Sequence, residues 1–233
     1  MTSRRAELAA NLAAVQERIA AAARAAHRDP GEVTLVAVTK TYPAADIALL
    51  ADLGVTDVGE SRDQEAAGKA ATLHDLPLRW HFVGQLQTNK ARSVARYADV
   101  VHSVDRTGLV EALSRAAADR AVDLELLIQL NLEADPDAGR GGVTPAELPR
   151  LADEIGAAPG VRLRGLMLVA PPGVDPVPVF AQLAEVSAGL RLDHPDADWI
   201  SAGMSGDLEA AVAHGATHVR VGTGLLGTRP GYR

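Results

Sequence analysis

Apolar and polar positions along the chain follow two periods, which predict helices and strands in regular succession. Residues 2–27 carry apolar side chains at spacings of three and four, the pattern of an amphipathic helix: Leu8, Leu12, Val15, Ile19 and Ala22. Residues 33–38 form a continuous apolar run rich in β-branched side chains, as expected of a strand buried on both faces of a parallel sheet. A helix over residues 44–52 follows, with Pro43 at its first position.

The same strand-then-helix pattern continues to the end of the chain. Further strands are predicted at residues 55–59, 78–83, 100–101, 124–132, 162–170, 199–200 and 218–222, with helices at 60–73, 88–97, 106–120, 144–155, 177–190 and 205–214. About eight strands, each but the last followed by a helix, favour an α/β fold, a single (β/α)8 TIM barrel with an additional N-terminal helix. A doubly wound open sheet is the alternative, but no G-x-G-x-x-G follows the first strand. Since no linker interrupts the pattern, we expect residues 1–233 to form a single domain.

Composition narrows the classes of function. The net charge of −7 argues against general nucleic-acid binding. The absence of cysteine excludes disulfides, thiol catalysis and cysteine metal sites, and no metal site is expected. Neither a signal peptide nor an apolar run of about 18 residues occurs, so a cytoplasmic protein without a membrane partner is expected.

Lys40 is the first candidate for chemistry. It lies at the carboxyl end of the first buried strand, directly before the chain turns into a helix. Reactive groups of α/β folds lie at this end of the strands, and a lysine there suits Schiff-base chemistry. On this stretch alone, an ordinary solvated lysine is the favoured interpretation.

Two loops near the C-terminus are candidates for binding a phosphate. Ser205 follows the seventh strand, and Gly222 and Thr223 follow the eighth, the loops that often bind phosphate in barrels. Turn glycines and an ordinary helix cap are the alternative interpretation. Arg220 belongs to the eighth strand, which neighbours the strand of Lys40 in a closed barrel, and its guanidinium donates hydrogen bonds but never accepts them.

Together these candidates fit one cofactor, pyridoxal 5′-phosphate. Its aldehyde would react with Lys40, its phosphate would meet the Ser205 and Gly222–Thr223 loops, and its ring nitrogen would meet Arg220. Because Arg220 only donates, the pyridine nitrogen would stay unprotonated, which weakens the ring as an electron sink.

Five motifs resemble one family in its order along nearly the whole chain. The sequence resembles the YggS/PROSC-type pyridoxal phosphate homeostasis proteins, which are similar to the N-terminal barrel domain of alanine racemase, pyridoxal phosphate fold type III. The motifs are L-V-A-V-T-K-T-Y-P at 35–43, W-H-F-V-G-Q-L-Q-T-N-K at 80–90, L-R-G-L-M at 163–167, G-M-S-G-D-L-E-A-A at 203–211 and H-V-R-V-G-T-G-L-L-G at 218–227. Of these, H-F-V-G-x-L-Q-x-N-K is specific, whereas each of the others alone is weak.

The resemblance implies a role for each matched residue. Lys40 would carry the cofactor as an internal aldimine, Arg220 would face the pyridine nitrogen, and the phosphate would be bound by Ser205, Gly222 and Thr223. It implies further pocket residues at His81, Asn131, Met167 and Met204. One departure is Ser61, where the family commonly has asparagine after Gly-Glu; a serine side chain is shorter than asparagine and has one donor.

The resemblance leaves three functions open. The first is a non-enzymatic carrier that buffers the cofactor in the cell, possesses no catalytic residues and delivers the cofactor to pyridoxal-phosphate-dependent apoenzymes. The second is a small amino-acid racemase with water or His81 as second base. Racemases of this fold take a tyrosine from a second domain of a partner subunit; we expect that domain to be absent here, which favours a carrier and a monomer. The third is an aldolase-like barrel without cofactor.

Residues 134–143, rich in glycine, are expected to form a loop at the barrel mouth.

Overall fold

Eight parallel strands close into a barrel in which each strand pairs with its neighbours along the chain. The computed structural model describes residues 3–133 and 141–227. The last strand pairs with the first, and the predicted (β/α)8 barrel is confirmed. The strands are β1 (Thr34–Val38), β2 (Asp57–Glu60), β3 (Arg79–Phe82), β4 (Val100–Val104), β5 (Leu124–Gln129), β6 (Val161–Met167), β7 (Trp199–Ser201) and β8 (His218–Val221).

Helices cover the outside of the barrel and bury their apolar stripes against it. Their bounds are α1 (Arg4–Ala25), α2 (Ala44–Asp52), α3 (Asp63–Thr72), α4 (Ala91–Val94), α5 (Thr107–Ala117), α6 (Leu148–Ala157), α7 (Pro176–Asp193), α8 (Leu208–Ala213) and α9 (Thr223–Leu226). In the part of the chain that the structure describes, every helix is too short or too polar to cross a membrane.

The additional N-terminal helix is confirmed as α1. The Ser3 side chain caps it by accepting a hydrogen bond from the Ala6 N–H at 3.3 Å. Its predicted apolar stripe is buried and packs against α8 and α9. Asn11 Nδ2 donates to the Leu225 carbonyl at 3.0 Å. Helix α1 therefore packs against the segment that follows β8 and stabilises it.

Several predicted boundaries shift where turns replace helix. Pro43 is the N-cap of α2 rather than its first residue. The predicted helix at 60–73 begins only at Asp63, because Glu60 ends β2 as a buried strand residue. The predicted helix at 88–97 is a 3-10 turn, Thr88–Lys90, followed by the short α4. The helix predicted from Ser205 begins at Leu208, because the Asp207 carboxylate accepts the Met204 N–H at 2.6 Å and holds a turn.

Two motif glycines are explained by packing. At Gly165 the φ angle is +146°, and a Cβ atom there would lie 1.9 Å from the Trp199 carbonyl oxygen of the next strand. At Gly84 a Cβ atom would lie 2.3 Å from the Ser61 carbonyl oxygen. In both places the backbones approach too closely for any side chain.

Candidate functional site

Lys40 lies at the rim of the barrel, two residues after β1. Its side chain is half-buried and, among the residues that the structure describes, forms no hydrogen bond or ion pair. The next residue, Thr41, has a φ of 72°, the left-handed region that a β-branched residue rarely adopts. Backbone strain of this kind concentrates at functional sites, where the surroundings enforce it.

A buried charged cluster holds the backbone on both sides of Lys40 in place. The Lys69 ammonium donates to the Thr39 carbonyl at 2.9 Å and pairs with Glu60 at 2.7 Å and Glu65 at 2.6 Å. Glu65 in turn accepts the Thr41 N–H at 2.5 Å, and Glu60 accepts the Thr39 hydroxyl at 2.7 Å. Burial raises the pKa of Glu60, against the opposing effect of Lys69. Both residues that flank Lys40 are thus fixed by the same cluster.

The two loops predicted to bind a phosphate meet at the rim. The Ser205 hydroxyl accepts the Gly224 N–H at 3.3 Å, which joins the loop after β7 to the loop after β8. A Cβ atom on Gly222 would lie 3.3 Å from the Val38 carbonyl oxygen of β1, so the last loop approaches the strand that leads to Lys40. Thr223 is exposed at the start of α9. The structure therefore brings Ser205, Gly222 and Thr223 to one edge.

Arg220 is buried beside that edge, in register with Val36 of β1. Its Nη1 donates to the Ser201 carbonyl at 2.7 Å and to the Ser201 hydroxyl at 2.6 Å. Its Nη2 donates to the Leu168 carbonyl at 2.9 Å. No carboxylate of residues 3–133 or 141–227 forms a salt bridge with it, and burial lowers its pKa to about 10. Two of the five guanidinium N–H groups remain without a partner in the described chain.

Asn131 and Met167 line a cavity of about 230 Å³ at the carboxyl ends of β5 and β6. Leu168, whose carbonyl accepts from Arg220, belongs to the same wall. The cavity therefore lies next to the guanidinium, and its lining combines the aliphatic side chains of Val83 and Val169 with the carboxamide groups of Gln129 and Asn131.

The remaining two candidates lie apart from this cavity wall. His81 is buried in the barrel interior, where Nε2 contacts Asp57 at 2.9 Å and Nδ1 contacts His102 at 2.8 Å. Met204 is exposed on the loop after β7. Of the glycine-rich loop at 134–143, residues 134–140 lie outside the described residues; Val143 pairs with the end of β5.

Sequence reasoning missed the groups that support the candidates, above all Lys69, Glu60, His102 and Ser201. A signal was present for the last two, because each is a polar residue within an apolar strand, His102 in V-V-H-S-V and Ser201 in W-I-S. Polar side chains in such positions are rare in barrel interiors, which are filled mainly by branched apolar residues.

Comparison with known proteins places this arrangement in a family. The family model for the alanine racemase N-terminal domain matches residues 10–230. The chain belongs to this family. Within it, a protein of Mycobacterium tuberculosis H37Rv named pyridoxal phosphate homeostasis protein is 44% identical, covering 97% of this chain and 94% of the relative. One of the same name from Escherichia coli K12 is 40% identical, covering 96% and 97%. These relatives confirm the resemblance drawn from the five motifs.

Solved structures agree with the fold. PipY of Synechococcus elongatus PCC7942, solved with PLP bound, is 38% identical with a TM-score of 0.81, covering 94% of this chain and 100% of that chain. Alanine racemase from Corynebacterium glutamicum has a TM-score of 0.68 at 15% identity, and this chain covers 63% of it. The second similarity supports the barrel fold alone.

Proposed function

We propose that this protein binds pyridoxal 5′-phosphate reversibly and buffers its level, without turning over a substrate. The proposal rests on the Lys40 amine, which has no hydrogen-bond or ion-pair partner within residues 3–133 and 141–227 and lies at the same rim as the joined Ser205 and Gly224 loops. When bound, the cofactor supplies an aldehyde that condenses with a lysine amine. The relatives' name and the PLP-bound PipY support this choice of ligand.

The residues present fit the cofactor at its phosphate and at its ring nitrogen. Gly222 and Gly224 leave room that a Cβ atom would fill against Val38 and Ser205, and this room suits an anion approaching backbone N–H groups. Arg220 has two N–H groups to direct at a ring nitrogen. We propose that Ser205, Gly222 and Thr223 bind the phosphate, that Lys40 forms the covalent link, and that Asn131 and Met167 border the ring.

The absence of turnover is proposed from the state of the candidate second bases. The Tyr42 hydroxyl donates to the Gly227 carbonyl at 2.6 Å, and burial raises the pKa of Tyr97, whose ring packs edge-on against Trp80. Both ring nitrogens of His81 are hydrogen-bonded, so it is poorly placed as a base. Tyr232 lies outside the described residues. A racemase needs an acid–base group on each face of the substrate, but Tyr42 and His81 are hydrogen-bonded elsewhere, and burial keeps Tyr97 protonated.

The proposal extends to location and assembly. We propose a cytoplasmic location, since the chain lacks cysteine and carries a net charge of −7, both suited to a reducing, soluble environment. We also propose that the protein is a monomer and passes the cofactor to apoenzymes. Sedimentation of the purified protein with and without cofactor tests the monomer, and a dimer would contradict it.

Spectroscopy with a turnover assay tests the function. Adding pyridoxal 5′-phosphate to the purified protein should produce the visible absorption of a lysine-linked pyridoxal. Protein that never develops this absorption would instead favour the aldolase-like alternative. The loaded protein should leave L- and D-alanine optically unchanged, and inversion at about one turnover per second or faster would contradict the carrier and favour a racemase.

A further inference from the structure

A chain of hydrogen bonds runs through the barrel interior from Asp57 to Arg220. Asp57 Oδ1 lies 2.9 Å from His81 Nε2, and His81 Nδ1 lies 2.8 Å from His102 Nε2. His102 Nδ1 lies 2.9 Å from the Ser201 hydroxyl oxygen, which accepts from Arg220 Nη1 at 2.6 Å. All of these residues are buried, and they come from five different strands.

The two ends of this chain determine the direction of every hydrogen bond in it. A carboxylate only accepts, so His81 carries a proton on Nε2. Burial lowers the pKa of His81, and as a neutral imidazole it leaves Nδ1 as an acceptor. His102 must then donate from Nε2, and its bare Nδ1 accepts the hydroxyl proton of Ser201. The lone pairs of Ser201 are thereby free to accept from Arg220. A guanidinium only donates, so the requirement at this end agrees with the one set at Asp57.

In this arrangement both imidazoles are neutral, and each atom that links two residues of the chain has a hydrogen-bond partner. Burial, together with the positive charges nearby, lowers the pKa of His102 well below its usual value. Burial also lowers the pKa of His81, against the opposing effect of Asp57. For Asp57, burial acts to raise the pKa, but the hydrogen bonds from His81 and Thr56 outweigh it and lower the pKa overall. A fully paired buried network of this kind is rigid, whereas a partly paired one would be costly.

We propose that Asp57, His81, His102 and Ser201 are positioning residues for Arg220, which they orient as a donor toward the ring nitrogen of the bound cofactor. This rests on the proposed function. Ser201 Oγ fixes Nη1 and the Leu168 carbonyl fixes Nη2. The two remaining N–H groups then have one orientation. Asp57 acts from the far end of the barrel because it selects the tautomer of both histidines.

The first test uses the cofactor-free protein. Long-range ¹H–¹⁵N NMR of the histidine side chains should find His81 and His102 neutral with the proton on Nε2. In Asp57→Asn, whose amide either donates or accepts, a second tautomer should appear. The proposed direction of the hydrogen bonds would be overturned if either histidine of the unmodified protein carried a proton on Nδ1 or were charged at neutral pH. The measurement on the unmodified protein needs neither a bound cofactor nor a variant.

The second test uses cofactor labelled with ¹⁵N in the ring. Ser201→Ala removes the link to His102 but keeps the Ser201 carbonyl that binds Arg220. It should shift the ring ¹⁵N resonance and weaken binding about tenfold, as for one hydrogen bond to a charged group. Ser103→Ala is the matched control, since Ser103 is buried on β4 and its hydroxyl has no partner within the described ranges. Ser103→Ala should leave both readouts unchanged.

The outcomes separate the two proposals. If Ser201→Ala matches the control in resonance and affinity, the positioning role is overturned while cofactor binding stands. If the unmodified protein takes up no cofactor, the proposed function fails, and the positioning role toward a ring nitrogen fails with it. The histidine tautomers then show whether the chain of hydrogen bonds from Asp57 to Arg220 exists.

Discussion

The Lys69 ammonium donates a hydrogen bond of 2.9 Å to the carbonyl oxygen of Thr39, the residue directly before Lys40. The same ammonium pairs with Glu60 and Glu65, and Glu65 binds the Thr41 N–H on the other side of Lys40. Lys40, whose amine has no partner in the described part of the chain, is therefore supported by Lys69, which has three. This division explains how the first amine stays available while its backbone remains fixed.

Replacing Lys69 should destabilise the protein strongly. Lys69→Met leaves the carboxylate of Glu60, whose side chain is 1% exposed, without its counter-charge. Breaking such a buried pair costs about 3–5 kcal/mol of the free energy of unfolding. Urea unfolding measures the change. Adding Glu60→Gln removes the uncompensated charge and should recover part of the loss. A loss below about 1 kcal/mol in the single variant would show that the cluster does not brace the Lys40 turn.

Gly165 should tolerate no side chain. Gly165→Ala would place a Cβ atom 1.9 Å from the Trp199 carbonyl oxygen at a φ of +146°, so β6 and β7 would have to separate. We expect a loss of about 3 kcal/mol or more in thermal or urea unfolding. Gly68→Ala is the control, because Gly68 lies within α3 and a Cβ atom added there would meet nothing within 4 Å. It should stabilise the helix by about 0.5–1 kcal/mol. Equal effects of both substitutions would contradict this interpretation of the motif.

The barrel was predictable because its pattern is local. Strands such as Thr34–Val38 and helices such as Arg4–Ala25 are encoded by periodicity within one segment. Barrel closure then placed Arg220 beside the strand of Lys40, and register between Val36 and Arg220 confirms that neighbourhood. The helix starts were less predictable, because side chains such as Asp207 stabilise turns in competition with the first helical residues.

The supporting groups were not predictable in the same way. Successive residues in the chain of hydrogen bonds from Asp57 to Arg220 are 24, 21, 99 and 19 positions apart in the sequence, so no local pattern links them. No local pattern distinguishes Lys69 from other lysines either, since its pairing with Glu60 depends on how α3 packs beside β2. The candidate binding residues lie in sequence motifs, whereas the residues that contact and support them are brought together only by the three-dimensional fold.

Acidification below pH 6.5 should destabilise the protein. Burial lowers the pKa of His81 and His102, and lowers that of His218 to about 3, whereas an unfolded histidine titrates near 6.5. Below about pH 6.5 the unfolded chain therefore binds protons that the folded chain does not, and stability falls as the pH falls. Each histidine contributes at most about 1.4 kcal/mol per pH unit.

Urea unfolding between pH 7.5 and 5.5 measures this dependence. His218→Asn should reduce the slope, because it removes one of the groups that titrate only in the unfolded chain. A free energy of unfolding that stays constant over this range would contradict the neutral state assigned to the three imidazoles. Glu60, whose pKa is raised by burial, opposes the trend as the pH falls through its folded-state pKa toward the ordinary value of 4.5.

Removing the Lys40 amine should separate the two parts of cofactor binding. Lys40→Ala should lose the covalent link yet retain weaker binding through the phosphate loops and Arg220. We expect the dissociation constant to rise at least about tenfold, or about 1.4 kcal/mol. Equilibrium dialysis measures it, with Lys90→Ala as control, since the Lys90 side chain is 50% exposed and lies 4.0 Å from Asp63. Unchanged affinity in Lys40→Ala would show that the link contributes nothing.

The site of covalent attachment tests the central claim most directly. Purified protein would be mixed with pyridoxal 5′-phosphate, reduced with borohydride and digested, and the labelled peptide identified by mass spectrometry. We predict a single pyridoxyl label on Lys40. Labelling of Lys69 or Lys90 in place of Lys40, or no stable label at all, would contradict the account.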